Sequence, residues 1–265
     1  MWQAVLFDLD DTLIIADNAR LMRTYFRDVA ECFPTALSPE HVRRQIVDST
    51  LHLMGADDGE QLVIDRFADH FFTALDLPAD MSIFADYYAG EYARLGRFAR
   101  PARGAREVVQ EAADLGLRVV LATNSVFPKS AIQQRLAWGG LEDIAWDLVT
   151  SLENMHYSKP QPGYFAEIAQ HLGLKASACL MVGNDPANDL SAQLVGMKTF
   201  LVTGERPAMT EEEIEAERVT AHAIEEPLLQ LEPSSAPSQT ELVPDLTGTL
   251  EDLRQLLRRA CGLRT

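Results

Sequence analysis

The 265-residue sequence predicts an α/β fold: a doubly wound parallel sheet with an all-helical domain inserted after its first strand. Three observations predict it. Ala4-Val5-Leu6-Phe7 is wholly apolar and runs straight into Asp8-Leu9-Asp10-Asp11, the pattern of a strand buried on both faces and ending at a polar edge. From residue 105 to 202, short apolar runs alternate with helical patterns that close on glycine, as a doubly wound sheet requires. Between these two regions, residues 17–97 carry helical periodicity and no strand signal.

The elements follow in chain order. Leu21, Met22, Tyr25, Phe26, Val29, Ala30 and Phe33 recur at helical spacing. Ser38-Pro39-Glu40 is a helix start, with Ser as N-cap and Pro at the first helical position. Ile64, Phe67, Ala68, Phe71, Phe72 and Leu75 form a second apolar stripe, and Ile83, Phe84, Tyr87, Tyr88, Tyr92 and Leu95 a third. Such stripes pack helices together rather than line a cofactor pocket. Residues 96–104, with Pro101 and several Arg, read as the return linker. Helices are then expected over 105–115, 129–138, 162–172 and 187–195, ended by Gly116, Gly139, Gly173 and Gly196. Strands are expected over 117–121, 144–149, 179–182 and 199–202. Residues 210–240 are read as an acidic, Pro/Ser-rich insert, with a charge run at 211–215 expected as a solvated helix and 232–239 as a mobile loop. Residues 242–246 return to the sheet edge, where Pro244 is tolerated. Thr249 with Asp252 is a capping box for a last helix carrying Leu250, Leu253, Leu256 and Leu257. The expected organisation is a core of residues 1–16 and 98–265 with a helical domain at 17–97.

A net charge of -17 argues against nucleic acid as a partner of the whole surface. It leaves room for a local site that binds a small anion. Hydrophobic residues make up 47% of the chain, enough for a substantial core. No apolar stretch approaches the roughly 18 residues of a membrane helix. The N-terminus enters a strand without a basic leader, so no secretory signal is expected. Cys32, Cys179 and Cys261 are far apart and odd in number, which argues against a disulfide framework or a zinc cluster. A reducing cytoplasm is expected.

The chemistry gathers at strand ends. Asp8 and Asp10 follow the first strand, and residues two apart in extended chain point to one side. Two such carboxylates repel unless a cation or a proton lies between them. Oxygen ligands alone favour a hard ion, so Mg2+ is expected. Thr123 and Asn124 end a second strand, and Asp185 and Asp189 follow a third. Lys159 stands in Ser158-Lys159-Pro160, just before a helix. Each feature alone is ordinary turn or helix-start chemistry. In a parallel sheet, however, all of them lie along one edge, where open α/β sheets bind ligands.

Asp8-Leu9-Asp10-Asp11-Thr12, Thr123-Asn124, Lys159 and Gly183-Asn184-Asp185-Pro186-Ala187-Asn188-Asp189 together resemble the four motifs of the haloacid dehalogenase superfamily. The insert between the first two resembles that family's helical cap on a Rossmann-like core. The resemblance implies Asp8 as nucleophile and Asp10 as general acid and base. It implies Thr123 and Asn124 as donors to a phosphoryl group and Lys159 as the cation that neutralises nucleophile and phosphate. Asp8, Asp10 (through its backbone carbonyl) and Asp185 would hold the metal, with Asp189 in support. Asn184 departs from the acidic residue that many members carry. The implied activity is hydrolysis of a small phosphorylated metabolite through an aspartyl-phosphate. The alternatives are a phosphomutase, a dehalogenase or, in another class, a receiver-type signalling module. Family dehalogenases lack an acid two residues after the nucleophile, and receivers are about half this length. Arg20, Arg43 and Arg44 are candidates for contacting an anionic leaving group.

Overall fold

The computed structural model describes residues 1–34, 36–55, 59–204 and 242–262. The acidic insert at 210–240 lies outside them. Six parallel strands form the main sheet: β1 (Ala4–Phe7), β4 (Arg118–Leu121), β5 (Leu148–Val149), β6 (Cys179–Gly183), β7 (Lys198–Val202) and β8 (Leu246–Gly248). Their order is β5-β4-β1-β6-β7-β8. From β1 the chain returns on one side as β4 and β5. It then crosses to the other side as β6, β7 and β8. The winding therefore reverses at β1, and a reversal of this kind opens a crevice at the carboxyl ends of the strands. Asp8, Thr123 and Asp185 follow the three central strands β1, β4 and β6.

The apolar runs are long and continuous because both sheet faces are covered. Leu6, Val120 and Met181 pack on one face with Tyr164, Phe165 and Ile168 of α7 (Pro162–His171). Val5, Phe7, Val119, Leu121, Leu180 and Val182 pack on the other, against α5 (Ala105–Asp114) and α9 (Leu250–Ala260). Glu111 of α5 accepts from Arg254 of α9 at 2.7 Å and also pairs with Arg258. The Thr249–Asp252 capping box is formed in both directions.

Between β1 and β4 lie α1 (Asn18–Ala30), α2 (Pro39–Met54), α3 (Val63–Ala74) and α4 (Ser82–Ala89). Phe33, Phe67, Phe71, Phe72 and Phe84 form one aromatic cluster, with centroids of Phe33 and Phe84 5.5 Å apart. Tyr25, Tyr87, Tyr88 and Tyr92 form a second. No helix among the described residues is long and apolar enough to cross a membrane.

The structure adds a feature at the base of the insert. β2 (Ile14–Ala16) pairs antiparallel with β3 (Ala99–Pro101), so the expected return linker is half of a two-stranded stalk. Three smaller differences have local causes. The third stripe ends in a 3-10 helix, Glu91–Phe98, rather than continuing as α-helix. The expected helix over 187–195 divides into α8 (Pro186–Asp189) and a 3-10 helix, Leu190–Val195, a division the sequence pattern does not reveal because 3-10 and α helices share the i, i+3 spacing. The strand expected over 144–149 pairs at Leu148–Val149 alone. Ahead of it the Asp147 side chain, not a strand carbonyl, accepts the Val119 amide at 2.8 Å.

Candidate active site

The first turn after β1 sets the geometry. The Asp8 amide donates to the Val182 carbonyl of β6 at 2.8 Å, so Asp8 still belongs to the sheet edge. Asp11 then takes a left-handed conformation, φ 54°, which Asp tolerates better than most residues. The Leu9 carbonyl closes the turn by accepting from Leu13 at 2.9 Å and Ile14 at 3.0 Å. Asp8, 9% exposed, lies inside this turn. The Thr12 hydroxyl lies 3.3 Å from Asp8 Oδ2 and 3.0 Å from Asn184 Oδ1, joining the first and fourth motifs.

Lys159 is 1% exposed and donates from Nζ to Asp8 Oδ1 at 2.8 Å and to Asp189 Oδ1 at 2.6 Å. Its amide donates to Asn124 Oδ1 at 3.1 Å, which locks the second motif to the third. Tyr164 reinforces that lock, donating to the Thr123 carbonyl at 2.6 Å while its ring faces Lys159 Nζ. The Asp189 carboxylate occupies the space beside Gly183, where any Cβ would collide with it. One ammonium serves two buried carboxylates here. Burial pushes the Asp8 carboxyl above its ordinary value against the pull of Lys159, and pushes Asp189 up to about 6. Lys159 itself is held charged, because the two carboxylates outweigh its desolvation.

The remaining acids point elsewhere. Asp10 is ion-paired with Nη2 of Arg135 on α6 (Lys129–Trp138). Asp185 Oδ1 accepts from the Ala187 and Asn188 amides at 2.9 and 3.4 Å, and Oδ2 from Asn188 Nδ2 at 2.5 Å, so it caps α8. Among the described residues, no three His, Cys, Asp or Glu side chains are gathered around one point. The structure thus joins Asp8, Lys159, Asp189 and Asn124 into one hydrogen-bonded unit, with Thr123 beside Asn124 and held through its carbonyl by Tyr164. It leaves the side chains of Asp10 and Asp185 on partners of their own.

The comparisons with known proteins show the family of the chain. The model of haloacid dehalogenase-like hydrolases matches residues 2–196, a span that includes Asp8, Asp10, Thr123, Asn124, Lys159, Asp185 and Asp189. The chain belongs to the haloacid dehalogenase-like hydrolase family. It is 29% identical over 204 residues to a phosphatase of Mycobacterium tuberculosis, covering 75% of this chain and 86% of that one. It is 27% identical over 217 residues to phosphoglycolate phosphatase of Rhodospirillum rubrum, covering 77% and 80%. A crystal structure of a phosphatase of the same family from Thermococcus onnurineus superposes with a TM-score of 0.55 at 18% identity, covering 99% of this chain and all of the other. That likeness concerns the fold.

Two features of this hydrolase have no counterpart in the sequence reading. The first is Arg135, 4% exposed, whose guanidinium stacks 4.8 Å from the centroid of Phe127 while it holds Asp10. A lone Arg on a helix carries no local sign of a partner 125 residues away. The second is how the helical insert meets the core. The residue preceding α3 is Leu62, which has no capping side chain. The first amides of α3 instead donate to core carbonyls, Val63 to Met155 at 2.8 Å and Ile64 to Leu152 at 3.0 Å. Ser158 Oγ, next to Lys159, donates to Leu53 O of α2 at 2.8 Å. Helix ends need such partners, and here they dock the insert against the loop that carries Lys159.

Asp8 and Asp189 pair with Lys159 and Asp10 with Arg135, while Asp185 caps α8. The excess of two negative charges and the all-oxygen donor set fit one divalent hard ion. Asp10 can contribute its backbone carbonyl while its side chain stays with Arg135. Asp185 keeps acceptor capacity beyond its capping bonds, since a carboxylate offers about four lone-pair sites.

Proposed function

We propose that this hydrolase is a magnesium-dependent phosphatase that cleaves small phosphomonoesters through an aspartyl-phosphate on Asp8. One observation carries the reading: buried Lys159 holds Asp8 and Asp189 together, so a nucleophilic carboxylate is presented beside a fixed positive charge. Phosphate monoesters repel anionic nucleophiles, and a site that attacks them must supply charge and alignment. The phosphatases among its relatives support the reaction class. Mg2+ would be held by Asp8, the Asp10 carbonyl and Asp185, and would supply charge compensation for the phosphoryl oxygens.

In this mechanism Asp8 attacks phosphorus in line and the bond from phosphorus to the ester oxygen breaks. Asp10 gives its proton to the departing alkoxide. The same carboxylate then takes a proton from water, which attacks the aspartyl-phosphate, releases phosphate and restores Asp8. Thr123 and Asn124 hydrogen-bond the transferred group, and Lys159 offsets its charge. Residues 17–97 act as a cap over the strand ends, excluding water during the reaction. The test is phosphate release from a panel of phosphorylated metabolites. Activity is expected with Mg2+ and is expected to disappear in excess chelator. Turnover that survives exhaustive chelation would remove the metal from the mechanism.

Arg135 has a defined part in this scheme. Burial raises the Asp10 carboxyl and Arg135 pulls it back. Arg135→Met is expected to lower kcat by roughly tenfold to a hundredfold, a share of what general acid–base catalysis supplies. The Asp10 carboxyl then rises further, so the basic limb of the pH profile moves to higher pH. Arg135→Lys restores part of the loss. An unshifted profile in Arg135→Met would show that the pair is structural.

A further inference from the structure

A cavity of about 330 Å³ lies between the helical insert and the core, lined by Val126 and Phe127 of the chain that follows Asn124. Ile46, Phe67 and Phe84 of the insert form its walls, and Val126, Phe127 and Leu152 its floor. Its size falls within the range of small-molecule sites. Its chemistry is one-sided. No lysine or arginine among the described residues lines it. Tyr25 and Tyr88 bond to each other at 2.8 Å, Thr50 donates to the Ile46 carbonyl at 2.8 Å, and Glu153 accepts the Lys129 amide at 3.0 Å. Ser130 is the remaining hydroxyl of the lining, so a polyhydroxylated or charged group would find few partners there and would lose hydration for little return. Arg20 and Arg43 do not serve it: they pair with Asp17 and Glu40, and Arg44 is also absent from the lining.

Two ties join the cavity to the catalytic centre. Val126 follows Asn124 by two residues, which places it within about 7 Å of that residue by chain length. Phe127 carries the Arg135 guanidinium on its ring, and Arg135 holds Asp10. The floor is therefore continuous with the loop proposed to bind phosphate and lies one side chain from the proposed proton donor. Leu152 contributes to the floor and also receives the Ile64 amide, so docking of the insert and closure of the cavity are one event.

We propose that this cavity receives the alcohol portion of the substrate and that this portion is apolar: an aliphatic or aromatic phosphomonoester rather than a sugar phosphate or a nucleotide. The proposal rests on the phosphatase reading and names the substrate class for that site. The test is kcat/KM with Mg2+ for n-alkyl phosphates from methyl to hexyl, beside glycerol 3-phosphate and ribose 5-phosphate. Each added methylene is expected to raise kcat/KM roughly threefold to fourfold until the cavity is full, as buried methylenes do. The two polar esters are expected to fall below butyl phosphate by at least tenfold.

Val47→Phe and Ala85→Phe, each filling the cavity from a different helix, are expected to flatten the series beyond propyl while leaving methyl phosphate within a few-fold of the parent. Two positions are used so that a folding defect in one does not decide the matter. Turnover with no dependence on chain length, or a preference for the polar esters, would overturn the apolar assignment and leave the phosphatase reading standing. No phosphate release from any ester would overturn both.

Discussion

Asp8→Asn is expected to abolish turnover without lowering Tm. The loss should be at least about 10⁴-fold, the scale on which removal of a nucleophile acts. An amide cannot attack phosphorus to give an acyl phosphate. The stability half follows from the same surroundings. Asp8 is 9% exposed and shares one ammonium with Asp189, and burial together with nearby Asp10 raises its carboxyl. Its ionised form is therefore disfavoured in the fold. A neutral amide of nearly the same shape relieves that repulsion and leaves Lys159 with Asp189. In chelator-treated protein, Tm is expected to stay level or rise, as when a strained functional group is removed. The pair of measurements is phosphate release and a thermal melt on the same preparation. Residual activity above about 1% of the parent, beyond any contaminating phosphatase, would take the nucleophile's role from Asp8.

What could be read in the sequence follows how far each signal travels. β1 and the carboxylates after it are legible because a strand covered on both faces has no polar position to spare. A sudden Asp8-x-Asp10 then stands out. Thr123, Asn124, Lys159 and Asp185 are legible by recurrence at successive strand ends. The helices of the insert are legible by period, and the fold class follows from both. The aromatic stripes are a divided case. Phe71 and Phe72 are fully buried core, as their spacing suggests, whereas Phe67 and Phe84 also line the cavity. Periodicity shows which face is apolar, not whether that face meets a neighbour or an empty space.

The parts that could not be read have long-range causes. β2 and β3 are three residues each, and their partners lie more than 80 positions apart, so neither has a pattern of its own. The start of α3 has no capping residue because its amides are satisfied by Leu152 and Met155 of the core. Arg135 is a helix residue like any other until Asp10 is brought to it. Each miss is a tertiary partner replacing a local one.

The second large effect is expected on stability. Lys159→Met should destabilise the metal-free protein by about 3–5 kcal/mol, the cost of breaking a buried ion pair from one side. Asp8 and Asp189, 9% and 2% exposed, would lose the one ammonium they share. Their carboxyls, already raised by burial, would rise further, with Asp189 starting from about 6. The sign of the pH dependence follows. A carboxyl raised in the fold binds more protons there than in the unfolded chain, so stability falls as pH increases from the unfolded value, near 3.9, through the folded one. The gap between Lys159→Met and the parent is therefore expected to be small near pH 4.5 and to widen toward pH 7.5. Urea unfolding at both pH values in chelator measures it. Adding Asp189→Asn to Lys159→Met removes one of the two orphaned charges and is expected to recover part of the stability. Turnover stays absent, because the cation beside Asp8 is still missing. A gap that is constant with pH, or a double variant no more stable than the single one, would mean that Lys159 acts through the packing of its long side chain and not through its charge.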